Sequence, residues 1–188
     1  MTHTVFFSGS RKISRLNQLV RSRIDNVIKQ RFHIVVGDAN GADKAMQSYL
    51  TDQKYENVTI YCANGSCRNN IGDWDAKAIP VPEGLSGRDY YTQKDLAMAK
   101  DADYGFVLWD GKSVGSVNNI LKMIEFNKPV VVFLTHKHEF FTLKDISDVF
   151  DLLKECDPAD RDEISKKTSL HRRLREIARS RQPTLALG

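Results

Sequence analysis

Five short apolar runs recur along this chain, most of them followed by a polar turn and then by a segment of helical period, and this rhythm restricts the fold more than any other feature. Val5-Phe6-Phe7 stops at Ser8-Gly9-Ser10-Arg11. Ile13, Leu16, Leu19, Val20, Ile24, Val27 and Ile28 then repeat at three- and four-residue spacing, the mark of an amphipathic helix. Ile34-Val35-Val36 ends at Gly37. Asn40 suits the cap of the following helix, and Asp43 falls in its first turn, where a carboxylate complements the helix dipole. Val58 to Tyr61, Tyr104 to Trp109 and Val130 to Leu134 read as further strands, with helices at about 91–102 and from Val117 to Ile124. Strands this apolar, alternating with helices, specify an α/β fold: a Rossmann-like, mainly parallel sheet of about five strands with helices on both faces. Right-handed crossovers bring every strand-to-helix turn to one edge of such a sheet.

Two stretches break the rhythm. Residues 64–88 are rich in Gly, Asn, Pro and Asp without a period, too long for idle packing and therefore a candidate functional excursion. After residue 135 the chain turns helical, with Ile146, Val149, Phe150, Leu152 and Leu153 on one helix and a basic segment over 165–181 as a last one. The sequence thus divides into a Rossmann-like ligand-binding domain at 1–135 and a helical extension with a basic tail at 136–188. Residues 161–188 carry eight Lys/Arg against three Asp/Glu, so the net charge of +4 sits in the tail while the body is balanced. No apolar run approaches the roughly 20 residues that span a bilayer, and no leader pattern opens the chain; a cytoplasmic protein without membrane contact is expected. Cys62, Cys67 and Cys156 lack a framework spacing and are expected as reduced thiols; no metal site or cofactor is implied.

Ligands of open parallel sheets bind beyond the carboxyl ends of the strands, where helix amino termini offer N–H groups to anions. Three turns there are small and polar: Ser8-Gly9-Ser10-Arg11, Gly37-Asp38-Ala39-Asn40-Gly41-Ala42-Asp43, and Asp110-Gly111-Lys112-Ser113-Val114-Gly115-Ser116. Each alone suits an ordinary tight turn, but three on one edge can wrap a phosphate or ribose, with Arg11 or Lys112 supplying positive charge. Tyr91 and Lys94, one helical turn apart, either face the same ligand or lie on the surface. Arg68, Asn69 and Asn70 are candidates for a lid. Gly111-Lys112-Ser113 is not a Walker A loop, because Phe106 stands where its first glycine belongs, and no GxGxxG follows the first strand.

The order strand, SGSR, strand, GDANGADK and then KDLAMAKDADYGFVLWDGKSVGS, over residues 4–134, resembles the SLOG superfamily. That group includes Lonely-Guy phosphoribohydrolases, DprA-type proteins and small YspA-like proteins, with nucleoside deoxyribosyltransferases as more distant relatives. The resemblance implies a pocket for nucleotides, nucleotide sugars or ADP-ribose-like molecules. Some members cleave an N-glycosidic bond with a motif Gly-x-Gly-Thr-x-x-Glu. Gly115 and Ser116 match its Gly-Thr, but Asn119 stands at the Glu position. A carboxylate stabilises or attacks an oxocarbenium-like centre; an amide does neither comparably, though it hydrogen-bonds a sugar hydroxyl.

Three function hypotheses follow from these residues. The first is a sensor or binding protein for a nucleotide-type small molecule. The second is a nucleotide N-glycosidase or phosphoribohydrolase with displaced carboxylates, for which Asp38 and Asp110, each directly after a strand, are the leading candidates beside the Asn119 position. Nucleic-acid binding through the basic tail ranks below both, since the tail has no aromatic residue for base stacking. Ligand identity and assembly into a homo-oligomer stay open.

Overall fold

A computed structural model describes residues 2–181; residues 182–188 of the extension lie outside the described residues. The elements run β1 (Thr4–Gly9), α1 (Gln18–Lys29), β2 (His33–Gly37), α2 (Ala42–Asp52), β3 (Val58–Ala63), β4 (Ala76–Ile79) and α3 (Gly87–Asp101). They continue with β5 (Tyr104–Trp109), α4 (Val114–Glu125), β6 (Val130–Leu134), β7 (Glu139–Leu143), α5 (Ile146–Lys154), α6 (Pro158–Thr168) and α7 (Leu170–Arg181). The strands form one sheet in the order β4-β3-β2-β1-β5-β6-β7, parallel throughout except for β7, which returns antiparallel to β6. The Rossmann-like α/β architecture follows as the apolar runs require, with seven strands rather than five.

The two added strands escape the apolar-run criterion for different reasons. Ala76–Ile79 pairs only with β3 at the sheet edge and is largely exposed, so it needs no hydrophobic run. Glu139–Leu143 forms a hairpin edge beyond β6, inside what reads as the helical extension; the boundary at residue 135 therefore falls within the sheet. The expected single helix over 165–181 is two helices, because Ser169 takes a left-handed conformation (φ 52°) and ends α6. Ile13 and Leu16 precede α1 rather than belonging to it.

Side-chain alternation builds the core on both faces. Phe6 and Phe7 are each fully buried but point oppositely: Phe7 joins Ile24 of α1 and Met46 and Leu50 of α2, whereas Phe6 joins Met98 of α3 and Leu121 of α4. Full burial of such a side chain stabilises by about 1.5–3 kcal/mol, so two adjacent phenylalanines fix strand register on both faces at once. The second cluster extends through Val149 and Leu153 of α5, Ile164 of α6, and Leu170, Leu174 and Ile177 of α7. The basic tail is thus docked as far as Arg181: Arg173 bonds Glu125 (2.6 Å) and Asn118 (2.7 Å), and Arg181 bonds the Ile124 carbonyl.

Cys62 and Cys67 are joined as a disulfide, against the expectation of free thiols. Asn64 and Gly65 both take positive φ and reverse the chain, bringing the two Cα atoms within 5.1 Å. Cys156 is the free cysteine, and it is buried. Among the described residues no helix is long and apolar enough to cross a membrane, and no group of His, Cys, Asp and Glu could hold a metal.

Candidate functional site

The chain leaves β1 toward β2, β3 and β4, then crosses back to β5 on the other side, which makes the β1–β5 boundary the switch point of the sheet. The helices that follow these two strands diverge to opposite faces, leaving a crevice at their carboxyl ends. The crevice has a volume of about 590 Å³, and its floor is Ser8, Gly9, Ser10 and the start of α4.

The first and third turns are stitched together across this floor. The Ser10 hydroxyl donates to Asp110 Oδ2 (2.8 Å), and the Ser10 N–H donates to the Leu108 carbonyl (2.9 Å). Asp110 Oδ1 accepts the N–H groups of Lys112 (3.1 Å) and Ser113 (2.8 Å), shaping the turn that opens α4. Ser113 caps α4, its Oγ accepting the Ser116 N–H (3.4 Å). Gly9 is required by contact: a Cβ there would lie 2.6 Å from both Ala42 Cβ and the Leu108 carbonyl oxygen, so only glycine lets α2 and β5 close on β1.

Asn119, one turn into α4, donates from Nδ2 to Ser8 Oγ at 3.0 Å and is only 7% exposed. Its Oδ1 is buried without a hydrogen-bond partner, the one such side-chain atom among the described residues. A buried polar atom left unpaired is destabilising by about 1–3 kcal/mol and calls for an explanation.

A charged cluster forms the side wall. Asp38 (2% exposed) accepts Arg68 twice through the guanidinium, at 2.8 and 3.2 Å, and once through the Arg68 N–H at 3.0 Å. Lys94 (3% exposed) places Nζ 3.2 Å from Asp95 and 3.6 Å from Asp38. Burial works to raise the Asp38 carboxyl, but the Arg68 bonds and the Lys94 charge hold it below the ordinary range. Burial opposes the Lys94 cation, yet Asp95, Asp43 and Asp38 keep it firmly protonated. For Asp43, burial dominates over the attraction of Lys94 and pushes the carboxyl up to about 6. Arg68 also lies over the Tyr91 ring, 4.2 Å from its centroid, with Arg11 at 5.5 Å.

Of the residues singled out in the sequence, Ser8, Gly9, Ser10, Arg11, Asp43, Tyr91, Lys94, Asp110, Lys112, Ser113, Gly115, Ser116 and Asn119 line this one crevice. Gly37, Asp38, Asn40, Gly41 and Gly111 do not. Asp38 sits behind Arg68 and Lys94. Gly37 lies against the charged ends of Lys94 and Asp43, which a Cβ there would displace. Asn40 does not cap α2; that position is Gly41, and the Asn40 carboxamide instead accepts from Asn69 (3.0 Å). Gly41 holds a positive φ hard against the Arg11 backbone, so it fastens the second turn to the first. Arg68 is a pinned wall rather than a free lid.

Further lining residues were not foreseen: Lys12, Arg88, Asn118, and Glu163 and Lys167 of α6. Lys112 reaches Asp160 at 3.1 Å and ties α6 to the third turn. Nothing in the sequence around Glu163 signals this, because its approach depends on α6 and α7 folding back over α4. No family model matches the chain, and comparison with curated proteins and with solved structures finds no match either.

Proposed function

We propose that this protein binds a nucleotide or nucleotide-derived ligand, of the nucleotide-sugar or ADP-ribose-like kind, in the β1–β5 crevice, and acts as a sensor or binding protein. The observation that carries this reading is Asn119: a buried carboxamide, held by Ser8, whose oxygen has no partner in the protein. A ligand hydroxyl or amine donating to that oxygen would remove the penalty, and a ribose hydroxyl beside an anion at the α4 amino terminus offers that pair of groups. The walls favour an anion as well, since Arg11, Lys12, Arg68, Arg88, Lys112 and Lys167 outnumber the carboxylates on them. Binding without turnover is supported by the engagement of the two leading carboxylates. Both oxygens of Asp38 are held by Arg68, and both of Asp110 by Ser10 and the turn.

The test is thermal stabilisation by AMP, NAD, ADP-ribose and cyclic ADP-ribose, with the hits examined by mass for cleavage. A selective rise in Tm with the ligand intact is expected. Asn119→Leu should weaken the hit about tenfold, the value of one buried hydrogen bond. No rise with any of these ligands would defeat the proposal.

One observation favours a second reading, an N-glycosidic hydrolase with displaced carboxylates. Asp43 lines the crevice and keeps its proton up to about pH 6, as a general acid requires. Release of free base by the wild type, abolished in Asp43→Asn with binding retained, would establish that reading instead.

A further inference from the structure

We propose that the Cys62–Cys67 disulfide is a redox latch that holds Arg68 in the wall of the crevice, so that the ligand site is complete only while the disulfide is formed. This regulation rests on the ligand-binding reading above.

The latch joins a buried strand of the sheet to the loop that carries Arg68. Cys62 lies within β3, is fully buried, and is registered against Ala78 of β4. Cys67 is half-buried and immediately precedes Arg68. The chain between them turns through Asn64 and Gly65, whose positive φ values of 52° and 80° set the reversal. Upstream, Asn64 is bonded to Ile79 and Val81 beside β4. Downstream, Asn69 is bonded to the Asp38 carbonyl (2.8 Å), and Gln47 of α2 holds Asn69 and Ile71. Among the described residues, the disulfide is the tie that fastens residues 65–67 to the sheet.

What the latch positions belongs to the site. The Arg68 N–H and guanidinium together saturate Asp38, and the guanidinium covers the Tyr91 ring. A shift of Cys67 carries the Arg68 N–H with it, because the two are adjacent on the backbone. The two-point grip on Asp38 then loses its geometry. Lys94 is left as the nearest cation to a buried carboxylate, and a cationic group leaves the crevice wall.

The chemistry balances with a dithiol as reductant. One thiolate of the dithiol attacks the more accessible sulfur, that of Cys67, and the S–S bond breaks with its electron pair on Cys62 sulfur, which takes a proton. The second thiol of the reductant then displaces Cys67 as a thiol, and the reductant leaves as its own disulfide. Two electrons pass to the protein. The reverse reaction consumes a small-molecule disulfide as oxidant. Where thiols are kept reduced, disulfides that do form serve sensing or catalysis rather than permanent bracing. Cys156 does not compete, because burial and then the surrounding carboxylates push its thiol up to about 11.

The experiment compares three samples of the full chain: oxidised, reduced with dithiothreitol, and Cys67→Ser, with thiol state verified by alkylation and mass. The first readout is the rate of tryptic cleavage after Arg68. It should rise about tenfold or more on reduction, as expected when a held segment opens locally, and Cys67→Ser should match the reduced protein and ignore dithiothreitol. The second readout is the Tm rise produced by ADP-ribose at one fixed concentration, expected in the oxidised protein and diminished in the other two. Equal cleavage in the oxidised and reduced samples overturns the latch, as does failure of the pair to oxidise in a glutathione-disulfide buffer. Cleavage that responds to redox state while ADP-ribose, AMP and NAD stabilise no sample leaves the latch standing and defeats the nucleotide reading.

Discussion

Replacing Asp43 by Asn should change how folding stability depends on pH, and the size of the change follows from where the carboxyl sits. Burial raises this group from its ordinary 3.8 to about 6, against the pull of Lys94. In the unfolded chain the same carboxyl loses its proton near pH 4. Between about pH 4 and pH 6 the folded protein therefore holds a proton that the unfolded chain has released, and stability falls as pH rises through that window. The penalty is complete above about pH 6. A gap of about two pH units corresponds to about 3 kcal/mol. Asparagine has no charge to bury and can still accept the Ala39 N–H, which Asp43 accepts at 3.2 Å. Urea unfolding of both proteins at half-unit steps from pH 4 to pH 8 gives the difference directly. Relative to wild type, Asp43→Asn should gain about 3 kcal/mol between pH 4 and pH 7. Parallel stability curves over that range would show that Asp43 ionises normally and that the wall is wetter than its geometry implies.

Other substitutions test the same construction. Gly37→Ala would place a Cβ 2.6 Å from Asp43 Oδ2 and closer still to Lys94 Nζ, so it should destabilise by about 1–3 kcal/mol in chemical denaturation. Leu174→Ala should lower stability by about 2–5 kcal/mol, because Leu174 belongs to the same core cluster as α4; a loss under 1 kcal/mol would mean that α7 is not docked. Lys112→Ala removes an exposed ion pair to Asp160, screened by solvent, and should leave the urea midpoint at its wild-type value.

The central strands were legible because burial on both faces forces continuous apolar runs. Tyr104–Trp109 and Val130–Leu134 are bounded as read from the sequence. Ala76–Ile79 was not legible, since an edge strand bonded on one side carries no such demand. Local chemistry came through in part: Asp43 lies in the first turn of α2, as its place after the turn implied. What sequence could not supply was pairing at a distance. Asp38 and Arg68 are separated by 30 positions and meet only because β2 and β3 are neighbours and the chain reverses at Asn64. The C-terminal break at Ser169 has no glycine or proline to mark it, so two helices read as one basic segment.

The late position of α6 in the chain has a consequence for synthesis. All the parallel strands have been made once Leu134 is added, yet Glu163 and Lys167, which face the crevice, arrive only with α6. During translation the sheet edge is therefore formed before its outer wall, and a nascent chain paused after β7 presents the three turns without the helix that flanks them.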